Sequence, residues 1–251
     1  MSKQISKKNI ERYSRQIILK NVGPAGQKNI LNSKVLIIGL GGLGCPVADH
    51  LCRAGVGTIG IVDFDKVSLS NLHRQSFFSH KDIKKFKVDV IKKKINLIDP
   101  KIEVKKFKKA ITENNANSLI KNFDIIIDGS DNFKTKFLLN KISIKYNKTL
   151  IIGAISKFDG HVFVFNFKNR NEPCLKCFYQ SEPSDDLLNC EREGILSPVA
   201  GIIGSLQANE ALKRILQTKD YLNKKILILD ALKLNFKKVL FSKKRNCICK
   251  Q

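Results

Sequence analysis

An α/β fold, with a doubly wound and mostly parallel sheet continued by antiparallel strands, is predicted by three features of this sequence. Apolar runs alternate with helix-period segments from residue 34 to about residue 155, the pattern of strands joined by crossover helices. The first run ends in glycines, IIGLGGLG at 37–44, as a buried strand does where it turns into a helix. Beyond residue 155 the texture changes to a period of two, HVFVFNF at 161–167, which suits an antiparallel strand.

Each element follows from its residues. Residues 8–31 have helical spacing, with a break expected at VGPAG. KVLIIGL (34–40) is continuously apolar and reads as a buried strand. PVADHLCRAG (46–55) has helical spacing and ends on a glycine, a common helix terminator. TIGIVDFD (58–65) is the second strand, and a basic helix over 84–97 stops before Asp99-Pro100. IEVKKF, FDIIIDGS and TLIIGAIS are further strands with helices between them. A loop rich in Cys, Pro, Asp and Glu (171–194) leads to a helix at 199–217. KILILDAL and KVLF are the last strands, before a basic tail ending NCICKQ.

The chain has 251 residues, 43% hydrophobic and 27% charged, enough for a core of one or two domains and typical of soluble globular proteins. Its start, MSKQISKKNIERYSRQ, carries no secretory apolar segment, and no apolar run reaches the length of a membrane span. The expected location is the cytoplasm. The net charge of +24 raises the question of nucleic acid. The lysines are scattered (84–94, 105–109, 243–246) without interleaved aromatics or a nucleic-acid motif. Neither nucleic acid nor membrane is the expected partner; a basic surface also attracts ATP and acidic proteins. Seven cysteines in such a chain point to metal or catalysis. Cys45 and Cys52 fall within a helical pattern and are expected in the core.

Gly39, Gly41 and Gly44 form a G-x-G-x-x-G between strand and helix. The first permits the tight turn, the second lets backbone approach phosphate, and the third allows helix and strand to pack closely. Asp63, with Asp65 behind it, closes the second strand where a ribose hydroxyl would be held. This Rossmann-like signature fits NAD as well as ATP. The stretch KVSLSNLHRQ (66–75) adds Ser70, Asn71 and Arg74 near the phosphate end, and Lys87 follows. DGSDN (128–132) closes the fourth strand at the carboxyl edge of the sheet, with Asp131 placed to hold Mg²⁺. Cations for phosphates and a carboxylate for the metal suit nucleotidyl or phosphoryl transfer. An NAD-dependent oxidoreductase is the alternative. With no repeat or low-complexity linker, residues 1–155 read as the nucleotide-binding half and 156–251 as a partner-binding half of one continuous unit.

Cys174-Leu-Lys-Cys177 and Cys247-Ile-Cys249 are two thiol pairs 70 residues apart, a spacing that suits a closed tetrahedral zinc site. A redox pair at CLKC is the other reading, without a thioredoxin-like context around it. Cys190 lies outside both pairs, in LLNCEREGIL near Arg192. It is either an activated thiolate or a chance residue.

RYSRQI, VLIIGLGGLG, VDFDKVSLSNLHRQ, DGSDN, CLKC and the run from Cys190 through PVAGIIGSLQANEALK together resemble the bacterial adenylyltransferases that activate ubiquitin-like sulfur carriers. These are the ThiF-type thiamine enzymes and the MoeB-type molybdopterin-synthase enzymes, related to ubiquitin-activating enzymes. The resemblance runs from about residue 10 to residue 250. It implies that the C-terminal Gly-Gly carboxylate of a ThiS-type or MoaD-type carrier attacks the α-phosphate of MgATP, giving an acyl-adenylate and pyrophosphate. By the same resemblance, Gly41 and Gly42 lie under the nucleotide, Asp63 holds the ribose, and Asn71, Arg74 and Lys87 hold phosphates. Asp131 binds Mg²⁺ beside Asn132. Arg15 resembles an arginine that reaches into the other subunit's site, which implies a homodimer. Cys174, Cys177, Cys247 and Cys249 match the family's zinc ligands, with C-x-C here where the family has C-x-x-C. Cys190 falls at a cysteine linked in the ThiF type to covalent attachment of the carrier, and a cysteine desulfurase or rhodanese is an implied sulfur donor. LNCEREGIL followed by SPVAGIIGSLQ leans toward the thiamine type. A non-catalytic member, or one acting on another acyl substrate, is the alternative within the family.

Overall fold

The computed structural model describes residues 5–169, 171–179, 181–183, 194–245, 247 and 249. Strand β1 (Lys34–Ile38) is apolar on both faces because it lies inside the parallel part of the sheet, where both faces are covered. It pairs in parallel with β2 (Thr58–Val62) on one side and with β4 (Ile125–Asp128) on the other. β3 (Glu103–Phe107) extends the sheet beyond β2, and β5 (Thr149–Ser156) extends it beyond β4. From β5 onward the pairing is antiparallel, through β6 (Asp159–Asn166), β7 (Lys225–Asp230) and β8 (Asn235–Leu240). The order is β3-β2-β1-β4-β5-β6-β7-β8 in one sheet of eight strands. The chain leaves β1 toward β2 on one flank, and β4 opens the other. The carboxyl ends of β1 and β4 therefore border the crevice where sheets of this kind bind ligands.

Helices cover both faces. One core joins the sheet to α3 (Gly23–Asn32), α4 (Gly44–Ala54), α5 (Lys87–Ile98) and α9 (Ser197–Ile215). The second lies under α6 (Glu113–Ile120), α7 (Phe133–Lys145) and the short α8 (Leu175–Phe178). Cys45 and Cys52 are both fully buried in the first, as their positions in the helical pattern predict. Gly204 lets α9 press on α4; a Cβ there would meet Pro46 Cγ at 2.4 Å and the Leu43 carbonyl oxygen at 2.6 Å.

The N-terminal segment differs from its expected form. It divides into α1 (Lys7–Arg12), α2 (Ser14–Ile17) and α3, and VGPAG is the start of α3 rather than a break. Pro24 explains this, because its missing N–H and fixed φ suit the first turn of a helix. The interruption lies ahead of it, where α2 ends at Ile17. α2 is moored by Tyr13, whose hydroxyl donates to Asp99 Oδ2 at 3.1 Å and whose ring fills the space beside Gly55. The basic helix also starts later than expected, at Lys87. Lys84 has a left-handed φ of 69°, and Phe86 bridges back to Lys66, so these residues belong to a turn.

Candidate active site

The site grows from two backbone loops in contact. Gly39, just past β1, takes φ +82°, and a Cβ there would meet the Gly129 carbonyl oxygen at 2.7 Å. Gly44 opens α4 against the same turn; a Cβ on it would sit 2.0 Å from the Gly39 carbonyl oxygen. The first and third glycines thus serve packing, and Gly44 does not line the cleft. Gly41 and Gly42 do line it. Among the described residues only Gln75 Nε2 lies in range above Gly41, at 3.6 Å, which leaves room for a ligand against this backbone.

A cleft of about 260 Å³ lies over these loops, at the carboxyl ends of β1, β2 and β4. Asp63 lies at its edge after β2 and is mostly buried. Its Oδ2 accepts the Leu40 N–H at 2.7 Å and its Oδ1 accepts the Asp65 N–H at 2.7 Å, so it also braces the glycine loop. Burial raises its pKa, opposed by Lys87 and the two amides. Lys87, at the start of α5, is buried, and its Nζ donates to Asp65 Oδ2 at 3.0 Å.

The 3-10 turn Leu69–Asn71 supplies the opposite wall. Asn71 lines the cleft while its Oδ1 accepts the Ser68 N–H at 3.2 Å. Arg74 lies along Gly42, with its Cγ 3.6 Å from where a Cβ would stand. Its Nη1 donates to the Ser70 carbonyl oxygen at 2.9 Å, and among the described residues no carboxylate pairs with it. Ser70 itself is turned to Ser68 Oγ, 3.0 Å away, and does not line the cleft.

The loop after β4 completes the cleft. Asp131 is exposed, with Asn132 Nδ2 donating to its Oδ1 at 3.3 Å. Asn132 caps α7, its side chain accepting the Thr135 N–H at 2.8 Å. The amino end of α7 therefore faces the cleft, a favourable place for anions. Of the residues named from sequence, the structure gathers Gly39, Gly41, Gly42, Asp63, Asp65, Asn71, Arg74, Lys87, Asp131 and Asn132 in this cleft. Arg15 is exposed on α2 and does not reach it within one chain. Cys190 lies outside the described residues.

Sequence reasoning missed Gln75, Lys109 and Lys136. Gln75 lines the cleft, is buried, and leaves Oε1 without a partner. It stands in the quoted NLHRQ, next to Arg74, so the motif already held it. Lys109 lines the cleft beyond β3; among 46 basic residues nothing marked it out. Lys136 lies behind the loop, wholly buried against Asp128.

The second constellation also assembles. The sulfurs of Cys174, Cys177, Cys247 and Cys249 lie within 4.8 Å of one another. Cys174 to Cys247 is 3.4 Å, Cys177 to Cys249 is 3.6 Å, and Cys174 to Cys177 is 4.0 Å. A tetrahedral zinc with bonds of about 2.3 Å needs sulfurs about 3.8 Å apart, so the donor set fits that ion. The C-x-C pair thus reaches the cluster with both thiols. The Lys244 amide also donates to Cys177 Sγ at 3.4 Å, the outer bond typical of thiolate ligands. Burial pushes the Cys174 thiol up to about 12. Burial opposes ionisation of Cys247 too, but the amide and thiols that donate to its sulfur hold it below its ordinary value.

A glycine loop, two cations and a carboxylate at the switch point of a doubly wound sheet suit a nucleotide site, and the family and relatives that the chain matches make the protein an ATP-dependent adenylyltransferase. The comparisons place it more closely. The ThiF family matches residues 13–251, and the chain belongs to that family. It is 35% identical to a "Sulfur carrier protein adenylyltransferase" of Thermus thermophilus, over 96% of this chain and 91% of that one. It is 40% identical to "Adenylyltransferase and sulfurtransferase MOCS3" of Dictyostelium discoideum, over 92% of this chain and 54% of that one. The chain thus spans about half the length of that relative. A crystal structure of E. coli MccB with ATP superposes with a TM-score of 0.83, at 24% identity, covering 95% of this chain and 74% of that one; this likeness shows the fold.

Proposed function

We propose that this chain uses MgATP to adenylate the C-terminal Gly-Gly carboxylate of a small ubiquitin-like sulfur carrier. The observation that carries the reading is Arg74. It is a guanidinium with no carboxylate partner among the described residues, laid against the glycine loop in a cleft shared with Lys87 and Asp131. An unneutralised cation in such a place suits a polyphosphate, and NAD would need less charge. The names of the relatives support the carrier as the acyl substrate.

In this reading a carboxylate oxygen of the carrier attacks the α-phosphorus, and the bond to the bridging oxygen of the β-phosphate breaks. Pyrophosphate leaves with that electron pair. Arg74 and Lys87 hold the phosphates and balance the charge that grows on the leaving group. To do so, Lys87 exchanges its bond to Asp65 for a phosphate oxygen. Asp131, supported by Asn132, holds Mg²⁺, which neutralises phosphate charge when bound. Asp63 meets the ribose while bracing Leu40. Arg15 serves the site of a second copy in a homodimer. The exposed Ile10, Ile18 and Leu19 on the same N-terminal segment support such a contact.

Zinc at the four cysteines ties the C-terminal segment to α8 and stabilises the half that receives the carrier. Free thiols in such numbers favour a reducing cytoplasm, and among the described residues no helix is long and apolar enough to cross a membrane. Cys190 serves as an acceptor thiol: its sulfur bonds to the carrier's acyl carbon, the acyl–phosphate bond breaks, AMP leaves with the electron pair and the thiol proton passes to solvent, while a cysteine desulfurase or rhodanese is the sulfur donor. For the carrier, relatives named for molybdopterin synthase favour the MoaD type, whereas the LNCEREGIL stretch resembles the thiamine type. Mass spectrometry of each carrier after incubation with the enzyme and MgATP tests the reading. One carrier should gain the mass of an adenylate with the wild-type chain and not with Arg74→Ala. Equal adduct with both enzymes would remove Arg74 from the chemistry.

A further inference from the structure

We propose that Lys136, sealed behind the 128–132 loop, is a positioning residue that sets Asp131 against the phosphate-binding glycines. The proposal rests on the MgATP reading above and adds a residue outside the cleft to it.

Lys136 is 1% exposed and Asp128 is 0% exposed. A buried ammonium is tolerated when its donors are met, and here all three are. Nζ donates to Asp128 Oδ2 at 3.0 Å, to the Ser130 carbonyl oxygen at 2.8 Å and to the Gly153 carbonyl oxygen at 2.8 Å. Asp128 Oδ1 in turn accepts from the Ser130 amide at 2.9 Å and the Ser130 hydroxyl at 2.6 Å. The Asp128 carbonyl oxygen takes the Gln207 Nε2 at 2.8 Å from α9. Every turn of the loop up to Ser130 is therefore tied, and Asp131 is the next residue.

Stability alone is a poor account of this arrangement. A buried ion pair is often replaced by apolar residues of similar volume at no loss of stability, and the surroundings of Lys136 on α7, Phe133 and Phe137, are apolar. What an apolar side chain could not do is fix three separate acceptors at once. One is on β4 and one in the loop. The third is on β5, one residue past the last register pair Asp128↔Ile152. Ala154 and Ile155, which follow Gly153, line the cleft.

The loop also has no slack against its neighbour. A Cβ on Gly129 would meet the Gly39 carbonyl oxygen at 3.0 Å and the Gly44 nitrogen at 3.2 Å. A displacement of residues 128–130 therefore reaches both Asp131 and the glycine loop, and the distance between metal ligand and phosphate site is set by Lys136.

Three variants test this: Lys136→Met, the pair Asp128→Asn with Lys136→Met, and Lys136→Arg. Circular dichroism melting reports folding. Calorimetry reports ATP binding in EDTA, and electron paramagnetic resonance reports Mn²⁺ binding to the protein–ATP complex. Outer partners of metal ligands are worth about 10–100-fold in affinity. The folded neutral variants should bind Mn²⁺ about tenfold more weakly in the presence of ATP, at this lower end. Their metal-free ATP binding should hold, and Lys136→Arg should restore the metal affinity. Unchanged Mn²⁺ affinity in a folded neutral variant would overturn the proposal, as would a matching loss of metal-free ATP binding. If neither neutral variant folds, the pair is a stability element and the positioning role is overturned as well. A wild-type chain that binds ATP without any dependence on metal would instead overturn the MgATP reading, and this inference with it.

Discussion

Replacing Gly44 by alanine and comparing it with the same change at Gly41 separates packing from binding within one loop. A methyl at Gly44 would lie 2.0 Å from the Gly39 carbonyl oxygen and 2.9 Å from its carbon. Both are backbone atoms, so no side chain can swing aside. Ordinary contact needs more than 3 Å, and α4 must therefore back away from β1 by over an ångström. Overpacking of this kind costs about 1–3 kcal/mol, a large share of a total stability of about 5–15 kcal/mol. A misplacement of about 1 Å at a reacting site costs about a hundredfold in rate. At Gly41 the only neighbour among the described residues is Gln75 Nε2, at 3.6 Å, an ordinary distance. Urea unfolding followed by circular dichroism should show Gly44→Ala weakened by about 2 kcal/mol and Gly41→Ala within about 0.5 kcal/mol of the wild type. ATP affinity should fall for both, since the Gly41 methyl occupies the space a phosphate requires. A Gly44→Ala protein with wild-type stability would refute the assignment of Gly44 to packing. A Gly41→Ala protein with wild-type ATP affinity would refute the phosphate assignment.

Further outcomes follow from other parts of the structure. Arg74→Ala should lower adenylation by about a thousandfold, the lower end for an arginine on transferring phosphates, with an unchanged melting temperature because its one described bond is to Ser70. Arg15→Ala and Arg74→Ala, each inactive alone, should recover about a quarter of wild-type activity when mixed and re-equilibrated. Half of the dimers would be mixed, with one intact site in two. No recovery would place Arg15 outside the partner's site. Removing zinc with a chelator should release one ion per chain and lower the melting temperature, and Cys177→Ser should reproduce the loss; a chain purified without zinc and equally stable would contradict the site. Asp82 carries a pH prediction. Burial raises its pKa, but the Ser79 hydroxyl and amide and the Lys94 ammonium outweigh burial and hold it below the ordinary value. Its contribution is present above the unfolded carboxylate pKa of about 3.9 and is lost as pH falls through the lower folded value. Asp82→Asn should thus cost about 1 kcal/mol near neutrality, and the difference from wild type should vanish in strong acid.

The sequence revealed the parallel half of the fold because its strands are buried on both faces and read as unbroken apolar runs, such as KVLII and IIID. The antiparallel half was legible where one face alternates, in β6. Boundaries were less so. VGPAG looked like a break because glycine and proline end helices as well as start them, and only the placement of Pro24 in the first turn decides which. Gly39, Gly41, Gly42, Asp63, Asp65, Asp131 and Asn132 were legible because they lie just past the ends of β1, β2 and β4, where the fold brings loops together. Asn71, Arg74 and Lys87 instead lie in the long connection from β2 to α5 and were legible only as part of the KVSLSNLHRQ motif and its sequel. Lys136 was hidden for a different reason. Phe133, Lys136, Phe137 and Asn140 share one helical face, and a lone lysine there reads as a solvated residue until its partner Asp128, eight residues earlier, is known to face it. Lys109 had no signal at all among so many lysines. The C-x-C pair departs from the C-x-x-C of the family it resembles, and its two sulfurs nonetheless lie with those of Cys174 and Cys177 in one cluster.

The central claim is that the glycine loop holds ATP for attack by a carrier's carboxylate. ATP–pyrophosphate exchange with Mg²⁺, run separately with a ThiS-type and a MoaD-type carrier ending in Gly-Gly, tests it most directly. Exchange that requires a carrier, and occurs with one of the two, is the predicted result. No exchange with either, from folded and zinc-loaded protein, would contradict it.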